Sequence, residues 1–354
     1  MKSVDVRPIM IKRALKLSFT FHNKTNDIVK NHALEDARDV IGGMLGTTFQ
    51  FGQLFTTVGN FQLNLNMAKP EVTRHPATVT TAPALSHNKA KNHIVAATAG
   101  KPYLHALGLT DANGTVFKNA HDKFRQINKY IEIVDGLIKK LPPKDTLRIA
   151  DMGAGKGYLT FALYDHVVNT MKLKAEMVGV EFRKELVAFG NTIARESGFA
   201  GLRFVEGSIA DYNCAGTDVV IALHACDTAT DDALFKAIEA KAELIIVAPC
   251  CHKQVRREMV ISANHPLSFM LQYGTYAERM AEMLTDSLRA HLLQFKGYST
   301  HVFEFISDAH TPKNVMIVAS KTRGGDNSKA LAAIQHIQTS FGIKTQHLAK
   351  LLGL

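Results

Sequence analysis

Apolar positions recur along this chain with two different periods. From residue 147 onward, short apolar runs at 147–151, 175–181, 202–206, 217–223 and 243–248 predict strands. Between them, helical spacing predicts helices at about 157–172, 183–197 and 228–240. Strand and helix in alternation imply a parallel sheet covered on both faces. Residues 269–295 are mostly helical in spacing, and 299–306 and 315–320 read as two more strands joined by the short loop 307–314. With no helix between them, these last two strands must pair antiparallel. The tail from Ser328 has a helical pattern.

The first part of the chain has a different rhythm. Residues 4–11 and 15–21 alternate as strands, and Leu34, Ala37, Val40, Ile41 and Leu45 have helical spacing. Residues 51–57 and 61–65 read as a hairpin turning at Gly59-Asn60, which completes a small β-β-α-β-β module over 1–67. Residues 68–114 show little periodicity and scattered basic side chains, as expected of a linker or arm. After the turn at 111–114, Phe124, Ile127, Ile131, Val134 and Leu137 mark one face of a long helix. Lys123, Arg125, Gln126 and Lys129 lie beside that face and form a candidate substrate-facing edge. The larger α/β domain then covers 115–327, and 328–354 forms a helical tail.

Composition changes this picture in two ways. The 354 residues are 46% hydrophobic, ample for a buried core, yet no apolar run approaches the ~20 residues that span a bilayer. The N-terminal apolar positions are broken by Arg7, Pro8, Lys12, Arg13 and Lys16, which predicts a cytoplasmic protein without a signal peptide. The net charge is +10, and residues 1–100 hold 12 Lys and Arg against 6 Asp and Glu. That surplus points to a polyanionic partner such as RNA. The cysteines are Cys214, Cys226, Cys250 and Cys251, too few and too clustered for a disulfide framework.

Candidate chemistry begins at residues 147–163, LRIADMGAGKGYLTFAL: a strand ending in Asp151, a glycine loop and a helix start. Gly153, Gly155 and Gly157 allow close backbone approach to a ligand, with helix N-terminal N–H groups facing it. A dinucleotide fingerprint needs a sixth-position glycine where this chain has Tyr158, and no P-loop Gly-Lys-Ser/Thr follows. The stretch instead resembles the D-x-G-x-G-x-G motif of class I S-adenosylmethionine-dependent methyltransferases. Glu181 ends the second strand, 24 residues beyond Gly157, where a carboxylate can accept both ribose hydroxyls of an adenosine group. The resemblance implies an adenine-contacting segment after the third strand, with Ser208, Ile209 and Asp211 in it, and Leu223 ending the fourth strand. It further implies S-adenosyl-L-methionine as cofactor. The fold expected is a Rossmann-like seven-stranded methyltransferase sheet, five parallel strands plus a C-terminal antiparallel hairpin, with the small α+β N-terminal module.

In such a sheet the chemistry lies at the carboxyl ends of the strands. The fourth ends in His224-Ala225-Cys226-Asp227 and the fifth in Pro249-Cys250-Cys251-His252-Lys253. This pair resembles the loops of the branch containing tRNA 2′-O-methyltransferases, although Asp227 stands where that branch usually has glycine. Together with HDKFRQINKYIEI and residues 310–314, which include Lys313 and Asn314, the loops also resemble a bacterial group of methyltransferases. Several chemistries fit. A ribose hydroxyl needs a base or positive groups, for which Lys123 or Lys129, Asp227, Lys253 and Glu304 are candidates. A pyrimidine carbon needs a thiolate, for which Cys226 with Cys250 or Cys251 are candidates. Zinc is not expected, because adjacent cysteines rarely chelate one ion and no C-x-x-C spacing is present. An RNA acceptor, tRNA or rRNA, is the leading expectation; a small molecule, a protein, or a silent RNA-binding scaffold are the alternatives.

Overall fold

The computed structural model describes residues 2–12, 14–66, 69–83, 85, 94–223, 225–260, 262, 264–305, 314–322 and 328–354. The chain forms two compact units, Met1–Asn92 and His93–Leu354.

In the first unit, strands β1 (Ser3–Ile11), β2 (Ala14–His22) and β3 (Asp27–Ala33) form an antiparallel meander, followed by helix α1 (Leu34–Met44). Strands β4 (Phe51–Thr56), β5 (Gly59–Asn64) and β6 (Glu71–His75) form a second. Ile9, Phe19 and Ala37 are buried. Two strands were not legible in the hydrophobic pattern. Six of the seven β3 residues and all of β6 are exposed, so these edge strands are held by ladder hydrogen bonds and carry no period of burial. The β4–β5 turn also differs from expectation. Thr56 pairs with Gly59, which leaves Thr57-Val58 as the turn, and Thr56 Oγ1 donates to Gly59 O at 2.6 Å. Gly59 sits inside β5, where a Cβ would lie 3.0 Å from Arg74 Nε.

The second unit contains helices α2 (Pro102–Ala106) and α3 (His121–Ile138), then β7 (Leu147–Met152) and α4 (Tyr158–Asp165), which runs on through one π-turn, His166–Thr170. Next come β8 (Ala175–Glu181), α5 (Lys184–Glu196), β9 (Leu202–Glu206), β10 (Val219–Leu223), α6 (Thr228–Glu239) and β11 (Leu244–Ala248). Helices α7 (Lys253–Glu258), α8 (Ser268–Leu271) and α9 (Gly274–Phe295) precede β12 (Tyr298–Glu304) and β13 (Val315–Lys321), and α10 (Ser328–Phe341) and α11 (His347–Leu351) close the chain.

The seven strands lie in the order β12-β13-β11-β10-β7-β8-β9. Strands β7 to β11 are parallel, while β13 runs antiparallel to both β11 and β12, as expected. Successive strand residues point to opposite faces, so Ile149, Ile221 and Ile246 join the core under α3, α4 and α5. Ala150, Val220 and Ile245 join the core on the other face, to which α6, α9, α10 and α11 contribute. This is the Rossmann-like methyltransferase fold, with β7 central and the order reversing between β7 and β10. Ligands bind such sheets at that switch point, beyond the strand carboxyl ends. No helix among the described residues is long and apolar enough to cross a membrane.

Candidate active site

The loop after β7 is shaped by its glycines. Gly153, Gly155 and Gly157 all have positive φ, at 77°, 60° and 77°, a backbone state that L side chains rarely adopt. At Gly155 the space a Cβ would take is open, with only Arg183 Nη2 as near as 4.0 Å. At Gly157 it is filled, since a Cβ would lie 2.9 Å from Phe204 Cζ. Four of the five N–H groups of residues 153–157 are already paired within the chain. Gly153 N and Ala154 N donate to Val180 O, Gly157 N to Ala154 O, and Gly155 N to Glu181 Oε2 at 2.8 Å. The chain therefore fixes the loop itself, and what it offers a ligand is missing side-chain volume beside a carboxylate.

That carboxylate is Glu181, at the end of β8 and only 5% exposed. Its Oε1 accepts from Arg183 N at 3.1 Å and Nε at 2.8 Å. Burial would raise its pKa, but these bonds and the Gly155 N–H outweigh burial and hold it below the ordinary glutamate value. Oε2 accepts only one of these bonds, so a lone pair stays available there for a hydroxyl donor. A ribose diol fits this arrangement, and S-adenosylmethionine fits the loop on the same ground. Arg183, two residues past Glu181, is a site residue that the sequence pattern did not single out.

Asp151 is buried at the end of β7, where its Oδ2 accepts from Thr160 Oγ1 at 2.5 Å. Burial pushes its carboxyl up to about 6, against the Thr160 hydrogen bond and with help from the Glu181 charge. After β9, Ser208 Oγ donates to Asp211 Oδ2 at 2.6 Å, and Ile209 Cδ1 lies 3.7 Å from where a Gly153 Cβ would be. Ile209 thus borders the glycine loop. Asp211 is exposed, and Leu223, partly buried, ends β10.

At the ends of β10 and β11, three thiols converge. Cys226 Sγ lies 3.8 Å from Cys250 Sγ, which lies 3.7 Å from Cys251 Sγ. Burial first, then the two neighbouring thiols, push Cys250 up to about 12. The fourth cysteine, Cys214, is buried and not part of this group. Asp227 has φ 49° and ψ −118°, a conformation suited to glycine. Its Oδ1 accepts from Gln254 N at 3.2 Å, and its carbonyl accepts from Arg289 Nη2 at 2.9 Å. Lys253 is exposed at the start of α7.

His252, expected among the catalytic groups, is 3% exposed, and its Nε2 lies 3.2 Å from Asp286 Oδ1. Asp286 also accepts from Arg289, a fully buried guanidinium that donates to both oxygens of Asp231 at 2.9 Å. Gln346 Nε2 donates to Asp231 at 2.8 Å as well. Burial opposes the Arg289 charge, yet Asp231 and Asp286 hold its pKa above the ordinary arginine value. This network ties α6, α9 and the chain end to the base of the thiol loops. Its members lie far apart in sequence, so no local spacing announces them.

Of the expected substrate edge, Lys123 Nζ sits 4.1 Å from the centroid of the Tyr158 ring, next to the glycine loop. Arg125 and Lys129 are exposed and pair along their own helix, with Asp122 at 2.7 Å and Glu132 at 3.1 Å. Gln126 is half-buried beside them. Asn314 is buried, and its carbonyl accepts from Phe305 N at 3.0 Å. The expectations for His224 and Lys313 lie outside the described residues, as does most of the loop 307–314.

Residues 122–258 match a family model described as a methyltransferase domain. The chain is 25% identical over 222 residues to a glutathione S-transferase C-terminal domain-containing protein of Xenopus laevis, 56% of this chain and 34% of that relative. It spans about a third of the length of the curated relatives it matches. Among solved structures it is similar to magnesium protoporphyrin IX methyltransferase from Synechocystis PCC 6803 with bound SAH, at 15% identity and TM-score 0.39, over 66% of this chain and all of that one. It is also similar to precorrin-6y C5,15-methyltransferase from Geobacter metallireducens GS-15, at 15% identity and TM-score 0.33, over 54% of this chain and 88% of that one. Over residues 122–258 the chain thus matches a methyltransferase domain, set in a sheet with the strand order of the Rossmann-like methyltransferase fold.

Proposed function

We propose that the chain is an S-adenosylmethionine-dependent methyltransferase acting on RNA, either tRNA or rRNA. The observation that carries the cofactor half is the pairing of Glu181 with the Gly155 N–H beside an open glycine surface. S-adenosylmethionine supplies an electrophilic methyl group. The chain's own residues orient it: Glu181 on the ribose, Ile209 against the adenine, and the glycine loop against the methionine end.

The RNA half is supported by charge, with 12 Lys and Arg against 6 Asp and Glu in residues 1–100. A strand face supports it too. Phe51, Gln53 and Phe55 alternate on one side of β4, with the two rings 54% and 57% exposed, and Asn64, Gln62 and Asn60 lie opposite on β5. Exposed aromatic rings on a polar strand face suit stacking by unpaired bases. Burial and its two neighbouring thiols disfavour the thiolate at Cys250, which weighs against that one thiol as the nucleophile for a ring carbon.

Nucleoside mass spectrometry of RNA from cells with and without the gene tests this reading. One methylated nucleoside is expected to be lost with the gene. Incorporation of label from S-adenosylmethionine into protein or small metabolites, and none into RNA, overturns the RNA acceptor. Calorimetry tests the cofactor: S-adenosylmethionine binds the native chain and not Gly155→Arg. No binding to either leaves a silent scaffold.

A further inference from the structure

The three thiols at the ends of β10 and β11 form a figure with its own geometry. In the β10–β11 register Leu223 lies opposite Ala248. Cys226 therefore follows its strand by as many residues as Cys251 follows its own, and the fold brings all three sulfurs within 4.8 Å of one another. A disulfide needs sulfurs about 2.05 Å apart, far closer than these. A tetrahedral zinc site, with Zn–S near 2.3 Å, sets its sulfurs about 3.8 Å apart. The two closest separations, 3.8 Å and 3.7 Å, match that edge length.

We propose that Cys226, Cys250 and Cys251 bind one thiophilic metal ion, zinc in the first instance, through three sulfurs. Sulfur ligands select zinc or copper(I) over magnesium, calcium or manganese. The cluster contains no carboxylate among the described residues, so a hard cation has nothing to prefer there. Cys226 is exposed while Cys250 and Cys251 are half-buried, which leaves the solvent side of the cluster approachable. Three protein ligands and an approachable fourth position are the arrangement of a catalytic zinc rather than a closed structural one. A fourth ligand on that solvent side would be water or a donor atom of an acceptor. Each thiol that binds gives up its proton to solvent, so uptake of the metal releases protons. The strained Asp227 backbone and the buried His252–Asp286–Arg289 network brace the two loops from below.

Metal analysis of the full chain tests this directly and without reference to methyl transfer, so it stands or falls apart from the proposed function. The protein is purified under reducing conditions without chelators and then given zinc chloride. One equivalent of zinc per chain is expected to survive gel filtration, in Cys214→Ser as well as in the native sequence. Cys226→Ser, at an exposed position that keeps the fold, and the double variant Cys226→Ser/Cys250→Ser are expected to lose at least about nine-tenths of it, a weakening of about a hundredfold or more. Cobalt substitution is expected to give thiolate-to-cobalt charge-transfer absorption that is absent from the double variant. Zinc retained equally by the double variant, no zinc in the native chain, or a Cys226–Cys250 disulfide in protein isolated under reducing conditions each overturns the proposal.

Discussion

The two halves of the sheet's carboxyl edge are built by different means. On the β7–β8 side, the site is a local backbone shape: glycines at positive φ, closed by their own hydrogen bonds and by Glu181. On the β10–β11 side, groups distant in sequence are brought together by topology. There three thiols meet above a buried Arg289 network that draws on Asp231, Asp286 and Gln346. A local shape survives changes elsewhere, whereas an assembled one depends on its furthest member.

Removing that member has the largest expected effect. Arg289→Ala leaves Asp231 and Asp286 buried without their cation, so unfolding should become easier by about 3–5 kcal/mol. Urea denaturation followed by circular dichroism reads this directly. A loss below about 1 kcal/mol shows that the β10–β11 side does not rest on the network.

Next in size is a pH effect on the glycine-loop side. The Asp151 carboxyl is pushed up to about 6, above its unfolded value. Its protonated form is favoured by folding, so the stability it contributes is full below about pH 4 and is lost as pH rises through about 6. Asp151→Asn keeps an acceptor for Thr160 without a charge to bury. The variant should be more stable than the native chain by about 3 kcal/mol at pH 8 and no different near pH 4. Thermal melts across that range check the sign, and a variant less stable at pH 8 refutes the account.

A smaller effect tests how rigid the local shape is. Gly179, Gly190 and Gly157 cradle the Phe204 ring, and a Cβ at Gly179 would lie 2.6 Å from Phe204 Cδ1 and 3.1 Å from Ala154 Cβ. Gly179→Ala should cost about 1–3 kcal/mol by overpacking. Gly207→Ala, with nothing within 4 Å, should stay within about 0.5 kcal/mol by the same melt.

The same contrast explains what the sequence disclosed. The parallel strands were legible because fully buried strands are continuous apolar runs, and the glycine loop because positive φ selects glycine at Gly153, Gly155 and Gly157. Strands β3 and β6 were hidden since edge strands bury almost nothing. His252 reads as a loop histidine until Asp286, on a helix 34 residues away, buries it. The meeting of Cys226 with Cys250 and Cys251 was legible from the strand order, since their loops follow the adjacent strands β10 and β11, while the sulfur separations were not.

A small effect on stability is expected at Asp227, where a catalytic base and a structural turn make opposite demands. Its φ of 49° strains an aspartate by about 1–3 kcal/mol, and glycine removes that strain. Glycine also gives up the acceptor for Gln254 N, worth about 0.5–1.5 kcal/mol. The two nearly cancel, so Asp227→Gly should change stability by no more than about 1 kcal/mol. Asp227→Asn keeps an oxygen for Gln254 N and loses only the charge. If the carboxylate's work is to hold the turn, the asparagine variant should methylate within a few-fold of the native rate. A general base removed from the same position lowers the rate by about 100-fold or more. Single-turnover methyl transfer by the two variants separates these outcomes, since a structural Asp227 leaves both active and a catalytic one leaves neither.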